Sequence, residues 1–178
     1  MQTYIALLRG INVSGHKLIK MAELQQHFAS FGAVDPRTYI QSGNVVFGHG
    51  AASATLRKNL EKHLADELGY AVPVLIKSAN KLAVIARANP YDIDLPELGK
   101  KMYVCFFEHP PGTDAIKNIQ PFISDNEQLM IKGHAGYAYY ADGLGKARLT
   151  STVIERKLGM ATLRNWNTVT ALLEMADS

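Results

Sequence analysis

An α+β fold of two similarly organised halves is what the sequence predicts, on three observations. Strand and helix signals run in the order β-α-β-β-α-β over the first half of the chain. Much of the same order begins again after a polar, proline-containing stretch, "YDIDLPELGK". The 178 residues, 47% hydrophobic and 20% charged, are enough for two small cores of ordinary globular composition.

"TYIALLRG" is rich in strand formers and too short for a helix, so it reads as a buried first strand, with a glycine-containing loop after it. Met21, Leu24, Phe28 and Phe31 recur at helical spacing, and Gly32 provides the stop. "RTYIQ" and "NVVF" are two short strands joined at Ser42-Gly43, where a glycine permits a tight turn. Ser53 can cap a helix carrying Leu56, Leu60, Leu64 and Leu68 on one stripe and ending at Gly69. "VPVLIK" is the next strand, and "SANKLAVIARAN" reads as a helix ending before Pro90.

In the second half, "MYVCFFE" is a strand, Thr113 to Ile123 contains a helix, and "EQLMIKG" and "GYAYYAD" are strands. "TSTVIERKLG" reads as a helix with Thr152 and Glu155 at capping-box spacing, stopped by Gly159. The last segment is predicted to be helical from about Thr162, taking the place of a fourth strand. Each half thus follows the split β-α-β plan of ferredoxin-like domains. The expected organisation is a ferredoxin-like half over residues 1–91, a linker over 92–101, and a second half with a C-terminal helix over 102–178.

The single cysteine, Cys105, sits among apolar residues and is expected to be a buried thiol. "MQTYIALLRGIN" has neither the basic start nor the apolar length of a signal peptide or membrane span, so a cytoplasmic protein without a membrane partner is expected. The net charge of +3 is too small to diagnose a nucleic-acid binder, but it is unevenly spread. Met1 to Ala22 holds Arg9, Lys17 and Lys20 and no acid. Gly143 to Thr170 holds Lys146, Arg148, Arg156, Lys157 and Arg164 against Glu155 alone.

"RGINVSGHK" leaves a strand and approaches a helix, a place where backbone N–H groups and the helix dipole favour an anion. Gly10 and Gly15 have the spacing of a phosphate loop. However, His16 stands in the lysine position, Lys17 comes one residue late, and Leu18 replaces the magnesium-binding hydroxyl, so a Walker NTPase is rejected. A right-handed crossover would make the first two strands parallel and bring Arg9, Gly10, Asn12 and Lys17 beside Gln41, Ser42 and Asn44. In "ATLRNWNTVTALLEM", helical spacing turns Trp166 inward and makes it a structural anchor, while Arg164, Asn165 and Thr168 share another face. An arginine at a helix start calls for an offsetting anion, and this is the sharpest functional hint in the chain. Tyr103, Tyr137 and Tyr139 match part of an RNA-recognition pattern and suggest a stacking platform, against the simpler account of cross-strand packing. The six histidines show no metal-ligand spacing, and no nucleophile elbow is present.

At "ALLRGINVSG", "KMAEL", "TYIQSGNVVF", "KLG" and "ATLRNWNTV" the chain resembles the bacterial domain-of-unknown-function family 1697. The resemblance implies an α+β fold of two ferredoxin-like halves and brings no established activity. Ser14 and Lys17-Leu18 depart from the family's usual "RGINVGG" and Asn-Lys pair. Ala147-Arg148-Leu149-Thr150 stands where relatives tend to show Ser-Lys-Leu-Thr, so a serine nucleophile is not expected there.

The leading expectation is a protein that binds a phosphorylated small molecule or nucleotide. Its site would draw on Arg9, Gly10, Asn12, Gly15, Lys17, Lys20, Gln41, Ser42, Gly43, Asn44, Lys146, Arg148, Arg164, Asn165, Asn167 and Thr168. The alternatives are a single-strand nucleic-acid-binding module using the tyrosine face and a non-catalytic interaction protein whose motif residues hold the halves together. The sequence identifies no acid, base, nucleophile or metal; it leaves catalysis, any cofactor and the oligomeric state open.

Overall fold

The computed structural model describes residues 1–13, 15, 17–92 and 96–178. Ser14 and His16, which break the phosphate-loop and family patterns, and 93–95 of the predicted linker lie outside the described residues. The chain forms two compact units, Met1–Val84 with Ala171–Ser178, and Ile85–Thr170.

In the first unit, β1 (Gln2–Leu8), β2 (Val34–Tyr39), β3 (Asn44–His49) and β4 (Val74–Ser78) form a sheet in the order β2-β3-β1-β4. Every neighbouring pair is antiparallel, which leaves β1 and β2 parallel. The helices α1 (Met21–Ser30) and α2 (Ser53–Leu68) supply Leu24, Phe28, Leu56, Leu60 and Leu64 to a core with Tyr4, Ala6, Leu8, Val45 and Phe47. Alternation along β1 and β3 puts these strand residues on one face, because Tyr4 lies opposite Phe47 and Ala6 opposite Val45. The N-cap of α2 is Ala52, so the predicted cap Ser53 is instead its first helical residue, and the helix ends at Gly69 in the left-handed region. The next helix, α3, spans Ala79–Arg87.

The second unit repeats the plan. After the short helix α4 (Pro96–Lys101) come β5 (Met102–Phe107), α5 (Ala115–Ile119), β6 (Glu127–Lys132), β7 (Ala135–Tyr140) and α6 (Ser151–Leu158). The fourth strand, predicted to be replaced by helix, is present as β8 (Ala161–Asn165), and the final helix α7 begins at Trp166 and runs to Asp177. The sheet order is β6-β7-β5-β8, again antiparallel throughout. Its core joins Cys105, Phe107, Ala138 and Tyr140 to Ile119, Leu149 and Ile154. The cap of α6 is Thr150, whose hydroxyl accepts from Val153 N–H at 3.3 Å, so the predicted Thr152–Glu155 box is not the one used. Burial pushes the Cys105 thiol well up from its ordinary range, as its apolar neighbours led one to expect. No described helix is long and apolar enough to cross a membrane.

Candidate functional site

The end of β1 lies between two loops of its own unit. Leu8 N–H donates to Gly43 O at 2.8 Å, and the next N–H, from Arg9, donates to Pro73 O at 2.9 Å. The chain then winds through Gly10, Asn12, Gly15 and Lys17, all with positive φ. Asn12 holds this winding together. Its Nδ2 donates to Ile19 O at 3.1 Å and to Gln41 O at 2.9 Å, its Oδ1 accepts from Ile19 N–H at 2.9 Å, and its own N–H donates to Lys17 O. A short amide side chain tolerates φ 53° and satisfies loop polar groups that would otherwise lack partners.

The turn at residues 40–43 closes against this loop. Gly43 has φ 72°, and a Cβ there would lie 2.6 Å from Ile11 Cδ1 and 2.9 Å from Leu8 Cβ, so no other residue fits. Asn44 is fully buried, and its Nδ2 donates to Tyr39 O and Ser42 Oγ. Asn12, Gly43 and Asn44 are therefore occupied in shaping the loops. The exposed members of the predicted set here are Gly10, Gly15, Lys17, Lys20, Gln41 and Ser42, with Arg9 half-buried. Lys17 Nζ donates to Ala71 O at 2.7 Å and sits 5.5 Å from the centre of the Tyr70 ring. Burial, then the charge of Glu23, pushes the Tyr70 phenol up. Lys20 precedes α1, whose N-terminus has no side-chain cap and carries Glu23 in its first turn. Sequence reasoning missed the 70–73 segment, because only the closed sheet brings it to the end of β1.

The second unit gathers the other predicted residues differently. Lys146 and Arg148 are exposed, and their segment is held by Glu127, another residue that sequence reasoning missed. The buried Glu127 carboxylate accepts from the N–H groups of Arg148 at 2.6 Å, Leu149 at 3.2 Å and Ser124 at 3.1 Å. Asn165 Nδ2 donates to the carbonyls of Gly99, Lys100 and Met102, and its Oδ1 accepts from Asn167 N–H at the start of α7. Asn167 is exposed and Thr168 buried.

Arg164 is not at a helix start. It lies on β8 opposite Val104 and is only 7% exposed, so the dipole argument for an offsetting anion does not apply to it. Its guanidinium donates to Thr162 Oγ1 at 2.7 Å and Leu163 O at 2.9 Å, and burial pulls it down to about 10. The helical reading holds from Trp166 on but is overridden over Ala161–Asn165, including Leu163, by backbone pairing with β5, which a local periodicity cannot register. Trp166 is 4% exposed, in keeping with an anchor.

The tyrosine platform is excluded by strand parity. Tyr137 and Tyr139 lie opposite Val104 and Met102, whereas Tyr103 lies opposite Ala138, on the other face of the sheet. Tyr103 packs edge-on against Tyr140 with centroids 5.5 Å apart. Tyr137 is buried, with its hydroxyl donating to Ile85 O at 2.7 Å. Three tyrosines divided between two faces cannot stack successive bases.

The chain belongs to the family described as protein of unknown function DUF1697, whose model matches residues 1–137. That span contains the loop after β1 and the turn before β3, while "KLG" and "ATLRNWNTV" lie beyond it. No curated protein matches the chain. Among solved structures it is similar to the conserved bacterial protein SP0830 from Streptococcus pneumoniae, at 23% identity and a TM-score of 0.79, covering 100% of this chain and 99% of the other. At that identity the likeness establishes the shared fold.

Proposed function

We propose that the protein binds a phosphorylated small molecule or nucleotide at the loop following β1. The carrying observation is that Met1–Ala22 contains no acid, and its Lys17 and Lys20 are exposed on a loop bonded through Asn12 to the 40–43 turn. Lys17 and Lys20 supply positive charge, and Ser42 supplies a hydroxyl. The uncapped start of α1 adds N–H groups, with the Glu23 carboxylate in its first turn setting a limit on the charge an anion meets there. Arg9, Gly10, Gly15 and Gln41 border the ligand, whereas Asn12, Gly43 and Asn44 maintain the shape of the site. Lys146, Arg148 and Asn167 belong to the other unit, where each is exposed.

Thermal shift and calorimetry with inorganic triphosphate and nucleoside triphosphates test this reading. Lys20→Ala, which removes only an exposed charge, is expected to weaken binding about tenfold at low salt and less at high salt, with unfolding unchanged. Unaltered affinity in that variant and in Lys17→Ala would sink the proposal.

A second reading, a non-catalytic interaction protein, draws on the internal hydrogen bonds of Asn12, Asn44 and Asn165. These show how motif residues can be spent on folding with no ligand involved.

A further inference from the structure

Three aliphatic side chains beside residues of the Asn12 junction are largely exposed. Val13 is 58% exposed, Leu18 69% and Ile40 52%. Each is next in the chain to a residue of the Asn12 hydrogen-bond network. Val13 follows Asn12; Leu18 lies between Lys17 and Ile19, both bonded to Asn12; Ile40 precedes Gln41, whose carbonyl accepts from the Asn12 amide. Lys17 adjoins the same group in the chain, and Lys20 is two residues beyond Leu18.

Ile40 carries a further signal. It has φ 47°, the left-handed region, where a β-branched side chain is an outlier and glycine or asparagine would sit at ease. Strain of this kind concentrates at ligand-contacting and switch segments, and here it holds an aliphatic side chain at the surface of the 40–43 turn. Val13 and Leu18 share their loop with the exposed Lys17 and Lys20. An anion with no apolar part would leave the aliphatic side chains in water, and a flexible acyl chain would need an enclosing groove. A flat ring system attached to phosphate would cover the aliphatic group and reach the lysines together.

We infer that the ligand is a nucleotide, its base lying on Val13, Leu18 and Ile40 and its phosphates on Lys17 and Lys20. This rests on the anion-binding reading above and adds the apolar half of the ligand. Calorimetry compares a nucleoside triphosphate with inorganic triphosphate, which matches its phosphates but lacks the base. The nucleotide is expected to bind about tenfold more tightly. Leu18→Ser and Ile40→Asn, the latter suited to the left-handed backbone, should remove that excess and leave inorganic triphosphate binding unchanged. Lys20→Ala should weaken both. Equal binding of the two ligands, or an excess that survives Leu18→Ser and Ile40→Asn, overturns the base contact while the anion site stands. If neither ligand binds, both readings fall. Leu18-dependent binding to phosphatidylserine vesicles without nucleotide binding would also overturn it, assigning the patch to a membrane surface.

Discussion

The loop after β1 and the loop after β5 occupy the same place in their respective units, and they solve the same problem with different chemistry. At the end of β1, Leu8 and Arg9 donate to Gly43 and Pro73; at the end of β5, Phe107 and Glu108 donate to His134 and Met160, all within 2.8–3.0 Å. On that common backbone frame, Arg9 stands where the second unit has Glu108, and buried Asn44 opposite Leu7 stands where Ala135 lies opposite Phe106. The first loop is long and wound, held by the Asn12 side chain. The second begins His109-Pro110-Pro111, where two fixed φ angles restrict the chain without side-chain bonds. His109 lies 3.8 Å from Glu108. Topology therefore sets where a loop stands, and the residues within it decide what it can hold.

The sharpest way to break this comparison is at the paired turns. Gly43→Ala is expected to cost about 3 kcal/mol, since the added carbon meets Leu8 and Ile11 and must also adopt a left-handed backbone. Gly133→Ala in the corresponding turn meets nothing within 4 Å and should cost about 1 kcal/mol, the backbone penalty alone. Urea unfolding of both variants would show it; equal losses would mean that the close approach in the first unit is not maintained in solution.

Asn12→Ala is expected next, at about 2 kcal/mol, through loss of three side-chain hydrogen bonds and poorer tolerance of the left-handed backbone. Because the amide ties the 10–20 segment to the 40–43 turn, hydrogen exchange should quicken at Ile19, whose N–H it accepts. Unchanged protection there would show that the loop holds its shape without this residue.

The smallest expected effect is alkaline and belongs to the second unit. Burial pushes up the Cys105 thiol and the Tyr140 phenol, the latter raised further by Cys105, Glu127 and Tyr103. The folded unit keeps protons that an unfolded chain sheds above the ordinary values of 9.0 and 10.0, so stability is lost as pH rises past them. Arg164 acts with the opposite sign. Pulled down to about 10, it releases its proton first in the folded state and adds stability from there towards 12.5. Between about pH 9 and pH 10 the thiol dominates, and the loss approaches about 1 kcal/mol. Cys105→Ala should flatten that leg of a urea-midpoint profile; a decline just as steep in the variant would assign the effect to another group.

Much of the frame was legible in the sequence. The apolar run of β1, the leucine stripe of α2 ending at Gly69, and the glycine of the 40–43 turn are encoded by near neighbours, and the structure follows them. The meeting of Asn12 with the 41–44 segment also followed from the expected parallel course of the first two strands, whereas Arg9 N–H turns to Pro73. Local pattern likewise placed Cys105 and Trp166 inside, the first by its apolar neighbours and the second by helical spacing.

The tertiary structure decided what depends on partners distant in the chain. Ala161–Asn165 became a strand because β5 offered an unpaired edge, and that pairing carried Arg164 from a predicted helix start into the interior. Tyr103 was separated from Tyr137 and Tyr139 by cross-strand register, in which a shift of one residue reverses every side chain. Glu127 acquired its place on the N–H groups of Arg148 and Leu149 across an interval no spacing rule spans. Sequence period specifies which face of an element is apolar. Hydrogen-bond pairing between distant segments specifies which element forms at all, and therefore which of its charges remain available to a ligand.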